Sequence, residues 1–428
     1  MDILWGIGGM LALIALGLLL SSNRRRVRWR TVLSALAIQI VFGVLVLYWS
    51  AGVAVLGTVT EGVQAVINSA NAGISFLFGP VLPQGEDAGV VFAFQVLPVI
   101  IFFASLTAVL YHFGILQFVV EKLGAALGWA LGTRKAESVN AAANIFVGQT
   151  EAPLVIRPYL RGLSRSGLFA VMVGGLSTVA GSVLVGYSLL GAPLEYLIAA
   201  SFMAAPGALM MAKLIEPETE EEDEHEERDG IPDGEEPREE EAHERAEEDD
   251  DELEGMEYRN VIDAAASGAG DGLKLALNIG AMLLAFISLI ALVNLLLGVV
   301  GGWFGNPELT FEQILGYVFA PLMTVIGVPW AEATSAGSFV GQKVVVNEFV
   351  AFSNFAPTIE EFSPKTAAII TFALTGFANL GSLGILLGGL GGLIRHRRRE
   401  IAQLGLRAIA AGTLANLMSA TIAGILIG

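Results

Sequence analysis

Two glutamates, Glu151 and Glu348, stand within long apolar surroundings. A carboxylate at membrane depth is costly unless a partner or water receives it, so such residues mark substrate or ion pathways. Gln149 and Thr150 precede Glu151 directly. An amide, a hydroxyl and a carboxylate within three residues form the mixed donor and acceptor set that a heterocyclic ring edge requires. The competing reading is structural, with both carboxylates capping backbone amides or facing Arg157 and Lys343. A second cluster, Phe377, Asn379 and Ser382 (TGFANLGS), interrupts an otherwise apolar segment. Asn379 and Ser382 share a helical face and Phe377 offers a stacking plate, although helix packing uses the same residue types. Thr178 and Ser182 could simply bond back to the preceding turn. Their interest is that they lie opposite Asn144 to Val147, where free carbonyls could hold a small hard cation.

The elements that must position these residues belong to a membrane. The chain is 54% hydrophobic and 15% charged, too apolar for a soluble enzyme. Residues 216–257 hold 25 Asp and Glu against three Arg, a net of −22 within a whole-chain charge of −18, so the rest carries +4. The acidity therefore reports one linker. That tract has too few apolar residues to offset ordering entropy and reads as a disordered linker, with calcium buffering or regulation, or adaptation to salt or alkali, as weaker readings. Eight stretches suit spanning helices of about 20 residues: 3–21, 31–55, 92–119, 166–188, 191–213, 272–299, 364–390 and 402–427. Residues 57–79 and 307–328 fit interfacial helices. The first apolar run precedes Arg24 to Arg30, the reverse of a secretory signal, and reads as a retained helix. The positive-inside rule then places the arginine loops and the acidic linker in the cytoplasm and both termini outside.

Two buried stretches fail as simple spans. Residues 136–163 (AESVNAAANIFVGQTEAPLVIRPYLRGL) and 331–353 are broken by Gly and polar residues into halves too short to cross, the signature of re-entrant hairpins. Each precedes two spans, and each contains a Gly-Gln pair, Gly148-Gln149 and Gly341-Gln342. One span between the units makes an inverted repeat, which puts a substrate site at the repeat interface near the midplane. The chain divides into scaffold helices at 1–135, a first transport unit at 136–213, the linker at 214–258, scaffold at 259–330 and a second transport unit at 331–428.

Nothing supports an enzyme: HExxH, GxSxG, Walker and GxGxxG arrangements are missing. The chain has no cysteine, which excludes disulfides and thiolate metal or iron-sulfur sites. His112 reads as a packed polar residue rather than a proton relay.

The strings AESVNAAANIFVGQTEAPLVIRPYL, GLKLALNIGAMLLAFI, GQKVVVNEFVAF and TGFANLGS resemble the most characteristic segments of the concentrative nucleoside transporters, and the resemblance runs over nearly the whole chain apart from the acidic insertion. It implies an all-α integral membrane protein of eight transmembrane helices and two re-entrant hairpins, assembled as a homotrimer in the cell membrane, whose transport domain moves against a scaffold. It implies nucleosides as substrates, with no nucleic-acid polymer as partner. Gln149, Thr150 and Glu151 would bond the nucleobase, Val183 and Phe377 would pack near it, and Glu348, Asn379 and Ser382 would hold the ribose hydroxyls. No cofactor is implied beyond a coupling sodium ion, on the carbonyls of Asn144, Val147 and Val179 and the side chain of Thr178. Protons in place of sodium, with Glu151 or Glu348 titrating, and a passive or gate-type membrane protein are the alternatives.

Overall fold

The computed structural model describes residues 2–82, 91–219 and 258–428. Most of the acidic tract lies outside these residues. The described chain is helical, with no strand. In chain order it contains α1 (Asp2–Leu20), α2 (Trp29–Gly43), α3 (Ser50–Phe78), α4 (Leu97–His112), α5 (Ile115–Leu131), α6 (Lys135–Ala143), α7 (Ala152–Val155), α8 (Arg157–Leu160), α9 (Arg165–Ser177), α10 (Gly181–Leu189) and α11 (Leu194–Ile215). After the linker come α12 (Val261–Trp303), α13 (Phe311–Val325), α14 (Trp330–Val345), α15 (Glu348–Phe355), α16 (Pro364–Leu374), α17 (Leu380–Gly388) and α18 (Arg398–Ile427).

Helices α11 and α18 form the core. They pack on each other, and α1, α2, α9 and α16 pack around them. In α11 the apolar window is 94% buried, against 6% in α3 and in α12. The latter two therefore turn apolar faces such as Phe76 and Leu284 outward, as helices facing lipid or another subunit do. Helix α12 lies along α4. A Cβ added at Gly268 would stand 2.6 Å from the Ala108 Cβ, and one at Gly272 2.7 Å from the Ala104 Cβ. Small residues four apart on both helices let the backbones touch, the usual solution where water supplies no driving force.

Both hairpins are present. The first runs up α6, unwinds over 144–151 and returns through α7 and α8; the second runs up α14, breaks at Val346-Asn347 and returns as α15. Helix α13 opens with a capping box between Thr310 and Gln313 and bends by 118° into α14.

Four expectations change. The segments 166–188 and 364–390 are each broken, between Ser177 and Gly181 and between Leu374 and Leu380. Hydropathy reads such a break as continuous because Thr178-Val179-Ala180 and the residues after Thr375 are small or apolar. By length and apolarity alone α3, read as interfacial, passes the test for a spanning helix and 364–390 does not, so the eight described helices that pass are not the eight stretches expected. The span expected at 92–119 ends at His112, where Gly114 takes φ +70° and turns the chain into α5. The two Gly-Gln pairs are not equivalent: Gln149 lies in the unwound tip, whereas Gln342 lies inside α14 and accepts from Asn354.

The acidic linker also begins later than its composition suggests. Glu216 and Glu218 are buried. Glu216 pairs with Arg165 and Arg407 at 2.9 and 2.8 Å. Glu218 pairs with Lys213 and Arg28, both at 2.8 Å, and lies 3.6 Å from Arg134. Lys213 also bonds Glu137 at the base of α6, at 2.7 Å.

Candidate substrate and ion site

The first hairpin tip rests on a glycine pair. A Cβ at Gly175 of α9 would stand 2.7 Å from the Gln149 Cβ, and one at Gly174 would meet the amide nitrogens of Asn140 and Asn144 at 3.2 and 3.4 Å. Only glycine admits so close a backbone approach. The asparagine amides are used within the hairpin unit, Asn144 Nδ2 donating to the Asn140 carbonyl at 2.9 Å. Their oxygens are left over: Asn140 Oδ1, Asn144 Oδ1 and Gln149 Oε1 are buried without a partner. A buried acceptor without a donor costs about 1–3 kcal/mol, so an oxygen cluster of this kind suits a ligand.

Facing the tip, the break after α9 presents Thr178, Val179 and Ala180. Thr178 Oγ1 donates back to Gly174 at 2.9 Å, which leaves its lone pairs free. Among the described residues no donor reaches the carbonyls of Asn144, Val147 or Val179. The Phe146 carbonyl accepts from Gly181 across the gap, at 3.1 Å. The donor set is thus hard, neutral oxygen with one dangling amide oxygen, which fits a small monovalent cation.

The second break crosses the first. Phe377 N donates to the Thr178 carbonyl at 3.2 Å, and Phe377 is half-buried. Asn379 caps α17 by accepting from Ser382 N at 2.8 Å, and its amide donates to Glu348 Oε2 at 2.8 Å. Glu348 opens α15 directly after its own cap, Asn347, which accepts from Val350 N. Asn379 and Ser382 are therefore coupled through a cap rather than side by side on one helical face. Helix α10 brings buried Val183 and Tyr187 to this place, and Tyr187 packs on Phe349 and Phe352 with ring centroids 4.8 and 4.4 Å apart. The Tyr187 hydroxyl is turned toward the Glu348 carboxylate.

Beside the tip lies a cavity of about 430 Å³, lined by Val147, Gly148 and Glu151, by Ala180 and Ser182, and on the far wall by α4 and α12. Glu151 is exposed there, while Thr150 turns the other way, so close to the end of α17 that a Cβ at Gly389 would stand 2.7 Å from its methyl carbon. Gln149, Glu348, Phe377, Asn379 and Ser382 do not line the cavity; they stand behind its inner wall, at the crossing of the breaks. Among the described residues no cluster of His, Asp or Glu could hold a multivalent metal.

Two residues at the crossing, Asn416 and Tyr187, escaped the sequence reading, and a third, Lys343, entered it only as a charge that a glutamate could face. Asn416 in α18 donates to the carbonyls of Ser177 and Thr375 at 2.6 and 2.8 Å. Lys343 lies buried beside it, and Tyr187 faces Glu348. Asn416 interrupts an apolar helix as Asn379 does, so the same signal was there. Tyr187 gives none, since a tyrosine in a span reads as an interfacial anchor.

The whole chain finds matches in known proteins. Residues 196–424 match the family model described as the C-terminus of Na+ dependent nucleoside transporters, 8–81 match the N-terminus of the same family, and 93–194 match a gate module described as nucleoside recognition. The chain is 45% identical to a nucleoside permease of Helicobacter pylori, over 99% of this chain and 98% of that one. It is 37% identical to human solute carrier family 28 member 3, over 98% of this chain and 59% of that one. The structure of CNTnw in an inward-facing substrate-bound state superposes with a TM-score of 0.90 at 50% identity, covering 100% and 98% of the two chains. An outward-facing variant of the same protein gives 0.89 at 49%, with the same coverage. Broken helices, paired hairpins and these matches lead to one conclusion: the chain belongs to the concentrative nucleoside transporter family, a family of membrane transporters and not of enzymes.

Proposed function

We propose that this protein imports nucleosides by alternating access, coupled to a sodium gradient. The observation that carries the ion assignment is the orphaned Asn144 Oδ1 beside the free carbonyls of Asn144, Val147 and Val179 and the Thr178 hydroxyl. Sodium filling that cluster draws the unwound tip against the α9 break. The tip carries Gln149, Thr150 and Glu151, so the cation and the nucleobase raise each other's affinity. Glu348, held at the start of α15 and polarised by Asn379, accepts from the vicinal ribose hydroxyls in charge-assisted bonds. Ser382 adds a hydroxyl on the same side, and Val183 and Phe377 supply apolar contact to the base.

The basic loops support a single orientation. Arg28, Arg134 and Lys213 converge on Glu218 at one end of the bundle, the end the positive-inside rule assigns to the cytoplasm. Helices α2 and α4 supply the two crossings that return the chain from Arg28 to Arg134, so α3 lies along the outer surface. Both termini are then extracytoplasmic and the acidic linker cytoplasmic. The outward apolar faces of α3 and α12 suit a homotrimer in the cell membrane.

The test is uptake of radiolabelled uridine into proteoliposomes under an inward sodium gradient or a proton gradient of equal size. Concentrative uptake with sodium alone is the expected result. Uptake driven by protons alone moves the coupling to a carboxylate, and equilibration indifferent to both gradients means a passive pathway.

A further inference from the structure

The two repeats meet their broken helices with different chemistry. In the first, the end of α9 faces the oxygen cluster just described, which includes an orphaned amide oxygen. In the second, the equivalent end of α16 faces an ammonium. Lys343, in the last turn of α14, is fully buried. Its Nζ donates to the Ala373 carbonyl and to Asn416 Oδ1, both at 2.7 Å. Ala373 stands in the last turn of α16, where carbonyls lack intrahelical partners and carry the negative end of the helix dipole.

Asn416 makes this more than a local pair. Its two amide hydrogens go to the carbonyls of Ser177, the last residue of α9, and Thr375, the residue after α16. Those contacts fix which way the amide points, since reversing it would set its oxygen against two carbonyls and its NH₂ against the ammonium. Lys343 therefore polarises an amide that ties both broken helices together. The parallel extends to the hydroxyls: Thr178 bonds back to Gly174, and Thr375 bonds back to Thr371 at 2.7 Å.

We propose that Lys343 is the tethered cation of the second repeat, holding the α16 break from within the chain as a solution cation would hold the α9 break. The first repeat remains the one whose cation must come from solution. The assignment of sodium to the first repeat could fail and this role of Lys343 would stand, because the experiment reads the second repeat by itself.

Purified protein in nanodiscs is melted, and its uridine affinity measured, at one fixed saturating sodium chloride concentration with either choline chloride or methylammonium chloride added to equal ionic strength. Wild type is expected to be indifferent to the exchange. Lys343→Ala is expected to melt lower in choline, to bind uridine about tenfold or more weakly, the scale of one lost charged hydrogen bond, and to recover both in methylammonium. Lys343→Gln keeps donors for Ala373 and Asn416 but not the charge, and is expected to lose affinity as the alanine variant does. Wild-type affinity in Lys343→Gln, or a folded Lys343→Ala blind to methylammonium, overturns the proposal. Should the alanine variant not be recovered folded, the glutamine variant decides. Wild-type uridine affinity left unchanged when the sodium is omitted would count against the ion assignment and not against Lys343.

Discussion

Gly175→Ala is the sharpest probe of the hairpin tip. The added Cβ would stand 2.7 Å from the Gln149 Cβ and 3.2 Å from its Cα, where carbon atoms normally rest about 3.5–4.0 Å apart. Neither neighbour is the free end of a flexible side chain, so the tip must lift by about an ångström or α9 must bend. Overpacking of this size costs about 1–3 kcal/mol, which is a factor of about 5 to 150 in an equilibrium constant. Because the tip is the looser partner, the cost is expected to appear as weaker uridine binding, measured by isothermal titration calorimetry. Gly8→Ala, whose Cβ meets nothing within 4 Å, is the matched control. Gly174→Ala presses instead on the amides of Asn140 and Asn144 and should raise the sodium concentration needed for binding. Uridine affinity in Gly175→Ala within twofold of the control would refute the placement of Gln149 at the substrate.

Other expectations follow from single contacts. Thr178→Ala removes one oxygen of the cation cluster and should weaken the sodium dependence of uridine uptake by about tenfold, near 1.4 kcal/mol; unchanged dependence would mean the cation lies elsewhere. Glu348→Gln leaves a neutral partner for Asn379 and should weaken uridine strongly and free uracil little, so equal losses in competition assays would remove Glu348 from the ribose. Burial pushes the Glu218 carboxyl upward, but Lys213, Arg134 and Arg28 outweigh it and hold the pKa below the ordinary 4.5. A depressed carboxyl pKa stabilises the folded state above the unfolded value, and that contribution is lost as the pH falls through the folded pKa. Thermal melting below pH 4.5 should therefore decline more steeply in wild type than in Glu218→Gln, and parallel curves would show that the cluster is energetically idle.

The hairpins were legible because polar and glycine residues within apolar segments have few explanations in a membrane, and the strings around Glu151 and Glu348 are long enough to be distinctive. The breaks at Thr178 and Thr375 were not, because hydropathy averages over windows longer than the break. A three-residue extended stretch of small side chains leaves the mean unchanged, and its backbone partners lie far away in sequence, as Phe377 does from Thr178. Asn379 shows the consequence. Read as a mid-helix residue, it shares a face with Ser382; as the cap of a new helix it holds the Ser382 amide and reaches Glu348. The Gly-Gln pairs erred in the opposite way, since a shared dipeptide suggested equivalence that the tip and the interior of α14 do not have. Composition likewise hid the anchoring of Glu216 and Glu218, because a charge count cannot see which carboxylates meet arginines.

How the site opens follows from where the molecule is stiff. Gly268 and Gly272 seat α12 on Ala104 and Ala108 so closely that added methyl groups would overlap, which leaves the pair little freedom to slide or part. On the other side, Asn416 pins the ends of α9 and α16 together, and the Lys213 cluster fixes the base of the first hairpin to the end of α11. The cavity of about 430 Å³ lies in the seam between these two packed groups. The wall offered by α4 and α12 includes Thr107, Tyr111 and Leu275 beside Ala104 and Gly272, and the facing wall includes Phe146, Leu154 and Val155 beside Gly148, Ala180 and Ser182. Access to the substrate site should change by displacement of the hairpin-bearing body along this seam. Filling the seam from its far wall, away from the crossing, by Thr107→Phe, should slow uridine transport while leaving equilibrium affinity nearly intact. A parallel loss of both would mean that access and binding are set by the same residues and that no separate moving body exists.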